Sequence, residues 1–105
     1  MTVQVCQENE SLSFSNVRWS QILYFAEAFG WQPIGTVIDE NPEWEGWYCF
    51  NDGQVVLHED GINFAKALER GLSEAPQRGE IGFEQFKKQV EELIIFAKKD
   101  EFSIY

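Results

Sequence analysis

The strongest constraint on the fold lies in residues 83–99. There Phe83, Phe86, Val90, Leu93 and Ala97 recur at alternating spacings of three and four, with Ile94 alongside. At 3.6 residues per turn this spacing gathers the apolar groups into one stripe, which predicts a helix over about 83–99 packed along a core. Glu84, Lys87, Lys88, Glu91 and Glu92 form oppositely charged pairs at i,i+4 on its wet side, each worth a few tenths of a kcal/mol. Ile95 and Phe96 fall outside the stripe, on its flank and far side, so the second half of the helix is apolar on nearly every face. Either the segment Phe102–Tyr105 and the N-terminal strand fold over it, or a second copy does through Ile95 and Phe96. A chain of net charge −10 resists self-association, so a monomer is expected over a homodimer.

Two further helices follow from the same logic. Ser15 and Asn16 offer capping side chains for a helix over about 17–29. Its apolar face is Trp19, Ile22, Leu23, Phe25, Ala26 and Phe29, and Gly30 stands where a left-handed residue would end it. A helix over about 59–72 starts at Glu59 and Asp60, acids that complement a helix N-terminus, and carries the stripe Phe64, Ala65, Leu68 and Leu72. Between the first two helices, Trp47–Phe50 and Val55–Leu57 flank Asn51-Asp52-Gly53-Gln54, which predicts a hairpin at about 47–57. Thr2–Cys6 and Leu12–Phe14 alternate weakly, as short edge strands do, and Phe102–Tyr105 suits a final strand. The fold class is α+β: three helices on a small antiparallel sheet, in a single domain spanning residues 1–105.

Charge is unevenly placed. Residues 1–60 hold ten acids and one base, Arg18, whereas residues 61–105 hold eight acids and seven bases. A surface so negative repels phosphate backbones and anionic lipid headgroups, which excludes nucleic acid and membrane as partners. No apolar run approaches the ~20 residues that span a bilayer, and the first residues have neither the basic start nor the long apolar stretch of a secretion signal. The expected location is the cytoplasm. There Cys6 and Cys49, 43 positions apart and outside any CxxC pair, read as two reduced thiols.

Catalytic and cofactor chemistry finds no handle. There is neither a GxGxxG after a strand nor a GxxxxGK[ST] loop, and no Gly-x-Ser-x-Gly elbow. His58, the only histidine, reads as a surface residue. The adjacent His58-Glu59-Asp60 diverge on a helix or a strand, so they make no metal site. No metal, cofactor or catalytic residue is therefore assigned. The densest candidate for recognition is the cluster Trp44-Glu45-Gly46-Trp47-Tyr48 beside the acidic loop Asp39, Glu40 and Glu43. Exposed Trp with neighbouring carboxylates can anchor a protein partner, so Asp39, Glu40, Glu43, Trp44, Glu45 and Trp47 are the candidate partner-binding residues.

The stretches Phe14-Ser15-Asn16 with Trp19, Gly30-Trp31-Gln32-Pro33-Ile34-Gly35-Thr36, Trp44–Tyr48, Asn51–Val55 and Ala67-Leu68-Glu69-Arg70 resemble a family of small, uncharacterised bacterial proteins. The resemblance covers roughly residues 14–72. It implies a bacterial origin and a stand-alone domain, and carries no activity with it. Leu57-His58 departs from it, standing where a small polar helix cap is expected.

The functional expectation is a non-catalytic acidic interaction domain that sequesters a basic protein, in the manner of immunity or antitoxin-type proteins. The competing class is a small enzyme or ligand-binding domain using Glu43, Glu45 and His58 beside a Trp-lined pocket. A closed aromatic pocket holding a buried carboxylate would favour the second; a flat acidic face would favour the first.

Overall fold

The computed structural model describes residues 2–37, 48–49, 53–74 and 83–105. Its elements are β1 (Thr2–Cys6), β2 (Ser11–Ser15), α1 (Asn16–Ala28), β3 (Thr36–Val37), β4 (Gln54–Val56), α2 (His58–Glu74), α3 (Phe83–Lys99) and β5 (Phe102–Ile104). The three helices pack on a five-stranded antiparallel sheet of order β2-β1-β5-β4-β3.

Local chemistry sets the helix ends. The Ser15 hydroxyl accepts from the Arg18 N–H at 3.0 Å and caps α1, using one of the orphan donors of the first turn. At the other end Gly30 takes φ +102, and the N–H groups of Gly30 and Trp31 return to the carbonyls of Glu27 and Ala26. The α2 helix begins at His58, one residue earlier than its acids suggest, with the Gly61 N–H bonded to the Leu57 carbonyl.

The two glycines of α2 mark close approaches. A Cβ at Gly61 would sit 3.1 Å from the Ala97 carbonyl oxygen of α3, and one at Gly71 would run into the rings of Phe25 on α1 and of Phe29 at its C-cap. Both neighbouring helices therefore lie against α2 at positions where a side chain is missing.

The sheet's inner face carries Val3, Val5, Phe14, Val56, Phe102 and Ile104, all buried, together with the buried polar residues Thr36 and Gln54. Its outer positions Thr2, Gln4, Ser11, Ser13 and Ser15 are exposed. The return strand expected of the 47–57 hairpin is β4, and its pairing partners are β3 and β5. Tyr48 and Cys49 lie outside any strand, and residues 47 and 50–52 lie outside the described residues.

The apolar second half of α3 is divided by its surroundings. Phe96, on the far side from the stripe, is 2% exposed and packs on Phe102 with ring centroids 5.7 Å apart. The Gln7 amide reaches over to donate to the Phe96 carbonyl. Ile95 is left 61% exposed. Of the two candidate self-association residues, Phe96 is thus covered by the chain's own β5 and offers no surface to a second copy, while Ile95 remains outward.

Burial decides what these neighbours contribute. Phe96→Ala should cost about 3–5 kcal/mol, as an emptied core aromatic site does, whereas Ile95→Ala should fall within about 0.5 kcal/mol of the parent. Urea denaturation of the two variants checks this, and equal losses would contradict the packing.

Candidate functional site

Asp60 is the centre of the polar interior. It sits in the first turn of α2 with no exposed surface. One carboxylate oxygen accepts from the Trp31 indole Nε1–H at 3.0 Å and, more weakly, from the Ile34 N–H at 3.4 Å. The other accepts from the Tyr48 hydroxyl in a short hydrogen bond. That hydroxyl in turn accepts from the Gly35 N–H at 2.9 Å, and the Tyr48 carbonyl accepts from the Trp19 indole at 2.7 Å. A buried carboxylate is costly unless donors surround it; here they come from the turn after α1 and from Tyr48. The rings enclose the group: Trp31 meets Tyr48 edge-on at 4.9 Å and Phe64 at 4.7 Å.

Burial, and after it the hydrogen bond and charge of Asp60, pushes the Tyr48 phenol well above its ordinary range; the Gly35 N–H acts in the opposite direction. The neutral phenol is the form this environment favours.

Over this network lies a cleft of about 240 Å³ between α1 and the Tyr48–Cys49 segment. Its walls include Leu23, Tyr24, Trp31 and Tyr48, with Ser20, Glu27 and Cys49 adding polar groups. Tyr24 is 74% exposed. Glu27 is also exposed, and among the described residues its carboxylate enters no ion pair. An aromatic wall one helical turn from an unpaired carboxylate suits the head and stem of a cationic side chain.

Asp39, Glu40, Glu43, Trp44, Glu45 and Trp47 lie outside the described residues. His58 is exposed, and its Nε2 bonds the Lys98 carbonyl at 3.0 Å, so its ring is engaged with the end of α3. Among the described residues no three His, Cys, Asp or Glu side chains are grouped as metal ligands. Asp60 is one of the acids counted in the negative half of the chain, yet it is internal and spends its charge on Trp31, Ile34 and Tyr48. The aromatic pocket with a buried carboxylate and the surface cleft are therefore different places: Asp60 has no exposed surface and both its oxygens are engaged, so it presents no group to a ligand, whereas Glu27 is exposed and, among the described residues, free of ion pairs.

Sequence reasoning missed both Asp60 and the α1 cleft. The signal for the first was chemical. Trp31 and Tyr48 each carry a donor that must find an acceptor when buried, and Asp60 is an acid in the first turn of the neighbouring helix. No protein-family model, curated protein or solved structure matches the chain.

Removing the Tyr48 hydroxyl leaves Asp60 short of one donor, so Tyr48→Phe should cost about 1–3 kcal/mol at neutral pH. Because the phenol is raised in the folded state, its contribution is complete below the unfolded value of about 10 and is lost as pH rises above it. Stability of the parent should therefore fall more steeply than that of Tyr48→Phe in alkaline denaturation curves. Parallel curves would refute this role for the hydroxyl.

Proposed function

We propose that this chain is a non-catalytic acidic interaction domain that holds a basic protein, with the α1 cleft receiving one of that partner's Lys or Arg side chains. The observation that carries the reading is the charge segregation: ten acids and a single base in residues 1–60. That base, Arg18, lies over the Phe86 ring of α3 at 5.2 Å, where it is held by its own fold. Glu8, Glu27 and Glu59 are exposed and, among the described residues, free of ion pairs. Among the described residues of this half, Glu10 is the exposed acid that is paired, with Lys99 at 2.9 Å.

The cleft adds a defined contact to a diffuse field. Long-range charge speeds encounter and rejects anionic partners, while affinity concentrates in a few anchors seated in desolvated pockets. A guanidinium or ammonium entering beside Tyr24 would find the Glu27 carboxylate and lay its stem on Leu23 and Trp31. Sequestration of a basic toxin-like protein fits such a surface, since it needs charge complementarity and an anchor rather than chemistry.

The partner is sought by capture on the tagged full chain from its native host, and the reading is tested by association kinetics with the captured protein. The association rate should fall steeply with added salt, because exposed charges are screened beyond about 8 Å at physiological ionic strength. Glu27→Gln and Tyr24→Ala should each weaken binding by roughly tenfold. A rate that is the same at low and high salt, or affinity untouched by both substitutions, would overturn the proposal.

A further inference from the structure

We infer that a second cleft, on the other side of the turn after α1, binds the phosphate group of a small organic phosphate monoester. This cleft of about 380 Å³ lies between Gly30–Ile34 and the outer face of α2, and Gln32, Ile34, Asn63, Lys66 and Arg70 line it. Its volume is within the roughly 300–1,000 Å³ of small-molecule sites. It differs from the α1 cleft in the sign of its charge: among the described residues its lining includes two cations and no acid, on a chain with 18 acids and 8 bases.

Arg70 is fixed in place. Its Nη1 donates to the Phe29 carbonyl at 2.9 Å, and a Cβ at Gly30 would come within 3.0 Å of that nitrogen. The guanidinium thus rests against a glycine held at φ +102, with the remaining N–H groups of its planar fork not taken by that carbonyl. Capping the end of α1 explains Arg70 alone. It does not explain Lys66, one turn earlier on the same face. Like charges at i,i+4 repel, and neither Lys66 nor Arg70 has an ion-pair partner among the described residues. Glu69, the acid nearest to them in sequence, is instead paired with Lys98 of α3.

The charge count selects the ligand. A phosphate monoester carries about −1.5 to −2 at neutral pH and matches both cations, whereas one carboxylate would leave a cation unanswered. Forked guanidinium donors suit phosphate oxygens. The exposed amides of Gln32 and Asn63 can donate to and accept from ligand hydroxyls, and exposed Ile34 offers an apolar rim for carbon atoms.

The test is a titration of the full chain with glucose 6-phosphate, followed by backbone amide shifts in NMR spectra, with glucose and inorganic phosphate as comparison probes. Saturable shifts at Gly30, Asn63, Lys66 and Arg70 are expected with the ester, weaker ones with inorganic phosphate and none with glucose. Lys66 is exposed, so Lys66→Gln should keep the parent's fold and weaken the ester by about tenfold. Glu27→Gln, in the other cleft, should leave ester binding unchanged, which separates this result from the fate of the partner-docking proposal. No saturable shift, or equal affinity in Lys66→Gln, would overturn the site. Inorganic phosphate binding as tightly as the ester would overturn its assignment to an organic ligand.

Discussion

The structure turns on a carboxylate with no access to water. Asp60 lies in the first turn of α2, and its two oxygens gather the Trp31 indole, the Ile34 amide and the Tyr48 hydroxyl. Three separate stretches of chain are tied at one point: the first turn of a helix, the turn leading to the edge strand β3, and the residue that reaches Trp19 through its carbonyl. The helix N-terminus favours negative charge at this position, which offsets part of the desolvation that burial imposes. Leu57, just before α2, has no polar side-chain atom to cap the helix, so an acid held against the first turn is well placed.

This polar knot also shapes the surface. It holds Trp31 and Tyr48 in a fixed edge-on arrangement, and both rings wall the acidic α1 cleft. A partner meeting preset rings loses less side-chain freedom than one that must order them. The same turn presents Gly30, Gln32 and Ile34 to the basic cleft on its other side. Two clefts of opposite charge thus share one short stretch of backbone, Gly30–Gly35, anchored from beneath by Asp60 and Tyr48.

The helices were legible because each carries its own evidence. The stripe of α3, the Ser15 cap and the Gly30 stop are local signals, and their helices lie where those signals put them. The sheet was less legible, because its order depends on contacts remote in sequence. Phe102–Ile104 has only three residues of strand, yet it is the middle strand, between β1 and β4. That placement explains Phe96: helical projection puts it opposite the stripe, but β5 folds back after Asp100 and brings Phe102 onto it. The burial of Asp60 was not legible for a different reason. Two consecutive acids at a helix start read as solvated charge, and only Glu59 is exposed. What drew Asp60 inward was the hydrogen-bonding demand of Trp31 and Tyr48, which no helical period records.

The most direct test of this central role is hydrogen exchange at the Trp31 indole Nε1–H, which NMR resolves as a single signal. If Asp60 accepts that proton in the interior, its exchange should require opening of the core, and its protection should approach that of the slowest amides of α2 and α3. An indole proton exchanging as fast as that of an exposed tryptophan, while those helix amides stay protected, would contradict the account.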